Sequence, residues 1–176
     1  MKIAKIVGGL LGIIMLLTVS GGFFIDRTQT ATANRLISST DTALINLIDN
    51  LHNWELWHEW NKMNDSSLNY RYIGSLHGKG AERNWTSNNY SSGKLRIEYA
   101  DSLQIKYYLE IGDIKNIVGH IQLTRMNKAT NVHWTQTMYS RWNPYVRYMY
   151  NALNKIAEEE MNRSLLSLQR LGEKNN

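Results

Sequence analysis

The sequence predicts an α+β fold, with a curved antiparallel sheet of about seven strands wrapped around one long C-terminal helix and a separate apolar helix at the N-terminus. Three observations carry that expectation. Val146, Met149, Tyr150, Leu153, Ile156, Ala157, Met161, Leu165 and Leu168 recur at spacings of three and four, which puts them on one helical face. Between Thr28 and Met138, apolar and polar residues alternate in segment after segment, the mark of strands with one buried face. From Ile6 to Ile25 no residue is charged.

The apolar run IVGGLLGIIMLLTVSGGFFI matches the ~20 residues a helix needs to cross a bilayer. Lys2 and Lys5 precede it, so the positive-inside rule keeps the N-terminus in the cytoplasm and places the rest outside. Membrane contact is expected through Ile3 to Ile25. The alternative is a cleaved signal peptide, for which Val19-Ser20-Gly21 offers small residues, although Phe23, Phe24 and Ile25 prolong the apolar run beyond them. Either reading exports the domain, to the periplasm or the cell surface. The division expected is 1–25 as anchor or signal, 26–172 as a single domain, and 173–176 as a flexible tail. Gly8 and Gly12 form a small-xxx-small pair, weak evidence for helix pairing in a membrane.

Thr28 to Ser38 reads as a first strand. Thr40 or Asp41 then caps a short helix carrying Leu44, Ile45, Leu47, Ile48 and Leu51 and ending near His52. Trp54, Trp57 and Trp60 follow, three residues apart on one face of a helical turn. Large aromatics dominate cores wherever they fit, so Trp54 and Trp57 read as core closure, and Trp60 as the candidate to plug a cavity, line its mouth or meet a membrane surface. Tyr70, Tyr72, Gly74 and Leu76 alternate, as do Ala81, Arg83 and Trp85 beyond a Gly78-Lys79-Gly80 turn. Leu95, Ile97 and Tyr99 mark the next strand; Leu103, Ile105, Tyr107, Leu109 and Ile111 the one after. Ile117, Gly119, Ile121 and Leu123, then Val132, Trp134, Gln136 and Met138, complete the sheet. Asn143 caps the last helix, and Pro144 suits its first position because its missing N–H would be unpaired there anyway.

Several functions find no support in the residues. The net charge is +5, but Arg71, Arg83, Lys94, Arg96, Lys106 and Lys115 are dispersed along predicted strands at mostly outward positions, without a nucleic-acid motif. There is no cysteine, hence no disulfide and no thiol nucleophile. The five histidines, His52, His58, His77, His120 and His133, lack metal-ligand spacing and read as surface residues. No nucleophile elbow, phosphate loop or dinucleotide fingerprint is present, so neither cofactor nor catalytic residue is assigned.

Taken in order, the stretches NLIDNLHNWELWHEWNK, GKGAERNW, SGKLRIEYADSLQIKYYLEI and ATNVHWTQTM resemble the START-like, or Bet v1-like, superfamily. Within it they are similar to the polyketide cyclase/dehydrase and lipid-transport group of SRPBCC proteins. The resemblance covers approximately Arg27 to Leu171. It departs at Ser38-Ser39-Thr40-Asp41, where the family often has prolines, at Lys62 in place of a proline, and at Ala129 in place of a glycine. It implies a helix-grip fold whose concave sheet and C-terminal helix enclose a hydrophobic chamber. Tyr99, Tyr107, Ile121, Trp134 and Met138 would then face Met149 and Leu153 across it, with Trp60 and Trp85 completing the candidate lining.

The leading expectation is a membrane-anchored, extracytoplasmic module that binds a hydrophobic or lipid-like small molecule. The resemblance also implies an alternative, a cyclase or dehydratase-like enzyme, for which Glu98, Glu110, His120 or Gln136 would be candidates if turned inward, although alternation places Glu98 and Glu110 outside. A third expectation is an interaction protein whose chamber is filled core.

Overall fold

The computed structural model describes residues 2–140 and 142–174. Helix α1, Lys2–Phe23, leads through a short link into β1, Thr28–Ile37. Helices α2, Asp41–Ile48, and α3, Trp54–Trp57, follow. Six strands come next: β2, Asn69–Ile73; β3, Glu82–Thr86; β4, Gly93–Ala100; β5, Gln104–Ile111; β6, Ile114–Met126; and β7, Ala129–Tyr139. Helix α4, Pro144–Lys174, closes the chain. The strands form one antiparallel sheet in the order β1-β7-β6-β5-β4-β3-β2, so each hairpin neighbour in sequence is a neighbour in space except β1, which returns to pair with β7. The core lies between the inner sheet face, α2, α3 and the C-terminal half of α4.

Local chemistry accounts for the elements. Thr40 caps α2 by accepting from the Ala43 N–H, and Asn143 Oδ1 accepts from the Tyr145 N–H at the start of α4. Helix α2 stops at Ile48, earlier than expected, and Asn50 forms an isolated bridge to His77. Strand β2 ends at Ile73 because Gly74 adopts φ +77, the left-handed backbone that turns the chain; Leu76 is therefore exposed rather than a strand residue. Helix α4 remains helical through Lys174, so the flexible tail expected from 173 is helical at 173 and 174, and its last two residues lie outside the described ones.

Two glycines let aromatic rings lie flat on the sheet. Gly119 stands opposite Tyr107 and Gly93 opposite Trp85, and a Cβ at either position would overlap the facing ring. Tyr107 lies over Gly119 with its hydroxyl accepting from Trp134 Nε1 at 2.7 Å and Gln136 Nε2 at 2.8 Å, so the ring is fixed at both ends.

Two expected inward residues lie outside. Tyr99 is 45% exposed, since the register slips between Ile97 and Tyr99 and moves later side chains to the other face; its hydroxyl donates to Asp101 instead. Met149 is also 45% exposed. At 3.6 residues per turn it lies about 100° around α4 from the Tyr150, Met161 and Leu168 line that meets the core.

Helix α1 is the one described helix long and apolar enough to cross a membrane: Ile6–Phe23 has a mean hydropathy of 2.1, and 6% of that window is buried. Its end meets the start of α4. Tyr148 Oη donates to the Thr18 carbonyl at 3.1 Å, and Gly21 and Gly22 sit where a Cβ would strike Tyr148 and Pro144.

Candidate functional site

A cavity of about 270 Å³ opens between the inner sheet face and the middle of α4. Its depth is formed by the buried residues His58, Arg83, Trp85, Leu95, Trp134 and Met161. Leu109, Ile117 and Met138 continue the sheet wall, and Leu153, Ile156 and Ala157 supply the helix wall. Helix α4 packs on the core and α3 through Met161, Ser164, Leu165 and Leu168 in its second half, and nearer its start through Tyr150, with Asn154 Nδ2 donating to the Thr30 carbonyl of β1 at 3.3 Å. Between these contacts Leu153 and Ala157 are half-buried and Ile156 is 52% exposed, and all three border the void.

The tryptophan segment divides as its spacing allows. Trp54 and Trp57 are core: their indole N–H groups donate to the Ile48 and Leu47 carbonyls at 2.7 and 3.0 Å, and both rings pack against Trp134. The helical turn ends at His58, whose backbone is extended, and this swings Trp60 away from the line of the other two. Trp60 then stacks on Tyr90 at 5.9 Å and meets Trp85 edge-on at 5.3 Å, forming an aromatic cover over one side of the cavity.

The structure thus brings Trp60, Trp85, Trp134, Met138 and Leu153 together around the void. Tyr107 and Ile121 face inward but are packed into the core beside it, and Tyr99 and Met149 are elsewhere. Sequence reasoning named Gln136 but missed His58, Arg83 and Glu160 as lining residues. His58 is buried rather than superficial: it stacks on Trp54 at 5.1 Å, four residues earlier on the same helical face, a spacing that was available as a signal. Its Nδ1 accepts from the Trp60 N–H, so the ring proton belongs on Nε2, and burial holds its pKa well below the usual histidine value.

Arg83 is likewise inside rather than outward, 1% exposed, on the same alternation as Ala81 and Trp85. Its guanidinium lies over the rings of Tyr70, Trp54 and Trp85 at 5.0, 5.5 and 5.9 Å. Gln136 lines the cavity from β7, whereas Glu98 and Glu110 line a groove on the outer sheet face and His120 pairs with Gln104. Glu160, half-buried on α4, faces the cavity too; burial pushes its carboxyl above the usual range, against the pull of the Trp60 indole and the Arg163 guanidinium.

No family model matches the chain, and no curated protein matches its sequence. Solved structures match the fold. A crystal structure from Thermus thermophilus aligns with a TM-score of 0.61 at 15% identity, covering 80% of this chain and 94% of the other. The Aha1 dimer from Colwellia psychrerythraea gives 0.57 at 11%, covering 81% and 95%. Ara h 8.0201 gives 0.54 at 11%, covering 80% and 98%. The sheet, its helix and these likenesses define a helix-grip, Bet v1-like fold. At such identities the likeness extends to the fold alone.

Proposed function

We propose that this protein is a membrane-anchored binding module, facing out of the cytoplasm, that takes a hydrophobic or lipid-like small molecule into the cavity between sheet and α4. The observation that carries this reading is the void itself: an apolar chamber covered by Trp60 and Tyr90 sits beside a core whose other aromatics are tightly packed. A chain selected for stability alone gains by filling such a space, because each missing contact costs dispersion energy. The anchor reading rests on the length and hydropathy of α1, and the outward orientation on Lys2 and Lys5 before it.

The test is native mass spectrometry of the full chain, extracted from its host in mild detergent. A reproducible added mass of lipid size supports the carrier reading. A bare protein that also fails to take up a panel of fatty acids, alcohols and hydrophobic dyes sinks it.

One observation favours an enzyme of the cyclase or dehydratase kind as a second reading. His58, Gln136 and Glu160 all reach the cavity, and two of them have shifted proton affinities, the environment in which acid and base groups are tuned. Conversion of a bound poly-carbonyl compound by the wild type, lost in Glu160→Gln and His58→Asn, distinguishes it from a carrier.

A further inference from the structure

Arg83 is anomalous for a residue with only a packing role. It is 1% exposed, and its Nε and Nη1 have no hydrogen-bond partner. Among the described residues no carboxylate comes within 4.0 Å of its guanidinium, and Glu55, beyond the Tyr72 hydroxyl, offsets the charge only at longer range. Burying an ion without a close counter-ion is costly, and a methionine of similar length would fill the same volume without that cost. Three aromatic faces and the Tyr72 hydroxyl hold the group in place but leave the Nε and Nη1 donors unused.

The rest of the lining says what kind of partner is missing. Among the described residues that line the cavity, Arg83 is the sole permanent cation: there is no lysine, His58 is held neutral, and Glu160 is an acid. One guanidinium balances one negative charge, and its flat fork of donors matches a carboxylate in two parallel hydrogen bonds. The surrounding walls are apolar, and the cavity of about 270 Å³ falls just below the ~300–1,000 Å³ usual for ligand sites. That volume favours an unbranched chain over a bulky ring system.

We propose that the cavity binds a medium-chain monocarboxylate, its carboxylate on Arg83 and its chain along Leu153, Ala157 and Met138 toward the opening. This rests on the binding reading above and names its ligand class. The phenol of Tyr72 and the packing of Trp54, Tyr70 and Trp85 around the guanidinium position it in advance.

The experiment measures binding of dodecanoic acid, 1-dodecanol and dodecyl phosphate to the full chain in detergent, by native mass spectrometry at a pH where the acid is ionised. The expected result is acid bound at least about tenfold more tightly than alcohol, the scale of a charge-assisted hydrogen bond, and preferred over the phosphate. Arg83→Met should abolish that preference while retaining the alcohol, and Arg83→Lys should restore part of it. Equal binding of acid and alcohol by the wild type overturns the Arg83 assignment and leaves the hydrophobic carrier standing. A preference for the phosphate overturns the carboxylate class. Failure of all three probes removes the carrier reading itself. Should Arg83→Met not fold, as judged by circular dichroism, the wild-type comparison of acid with alcohol still decides.

Discussion

Arg147 Nη1 donates to the Phe23 carbonyl at 3.1 Å, and to those of Ile25 and Gly22 at 3.3 and 3.4 Å. These carbonyls are at and just beyond the end of α1, where no helical N–H reaches them and the helix dipole is negative. One buried side chain of α4 therefore caps the apolar helix and fixes the domain to it. Gly21 and Gly22 permit the contact, because larger residues would push Tyr148 and Pro144 away.

Removing that cap should loosen the junction. Arg147→Met leaves three carbonyls without their charged donor, worth about 1.5–3 kcal/mol for a single charge-assisted bond. Trypsin should then cut after Arg27 several-fold faster in the detergent-solubilised protein, with the sheet still protected. Unchanged cleavage would show that the helices are held by other contacts.

Gly119 should be intolerant of any side chain. Gly119→Ala places a methyl in the plane occupied by the Tyr107 ring, which is itself tied to Trp134 and Gln136. Overpacking of this kind costs about 1–3 kcal/mol, and displacing Tyr107 breaks two buried hydrogen bonds as well. Thermal unfolding should show a drop of several degrees, larger than for an alanine at half-buried Gly80, where a Cβ meets nothing within 4 Å, although the positive φ there strains that control too.

Filling the void should separate stability from binding. Ala157→Phe projects a ring into the cavity from the helix wall. Expected is loss of the bound lipid-sized mass, with a melting temperature within a few degrees of wild type because the site is open space and not packed core. A variant that still binds fully would place the ligand elsewhere.

Acid should destabilise the protein in two steps. His58 has a depressed pKa in the folded state, so below its ordinary value of 6.5 only the unfolded chain takes up the proton. Stability should fall as pH drops below 6.5 and level off above it. His58→Asn, which keeps an acceptor near the Trp60 N–H, should flatten the pH 5–7 part of a stability profile even while lowering its plateau.

The second step belongs to Asp65. Ser87, Ser67 and Asn89 donate to its carboxylate and hold its pKa near about 2, against an ordinary 3.8. Its folded pKa is depressed, so its contribution is complete above 3.8 and disappears as pH falls toward 2. Wild type and Asp65→Asn should therefore converge in melting temperature between pH 4 and pH 2. A constant difference across that window would exclude the carboxylate's charge as the cause.

Much of the fold was legible in linear pattern. Period-two alternation found the strands, the three-and-four spacing found α4, and an uncharged apolar run found α1. These signals survive because each reports a single chain segment's own geometry. Tyr99 shows their limit: one slipped register between Ile97 and Tyr99 reverses the face of the residues beyond it, and no composition marks it. Trp60 lies at the same three-residue spacing as Trp54 and Trp57, and its place beside the cavity depends on where the helical turn ends.

By itself the sequence determined the element order, the membrane-length helix and the apolar identity of the sheet's inner face, since local propensity and period encode them. The tertiary structure alone decided that Leu153 and Ala157 border a void, and that His58, Arg83 and Glu160 line it. Those residues are far apart along the chain, and a charged side chain reads as solvated until the packing around it shows that water is excluded.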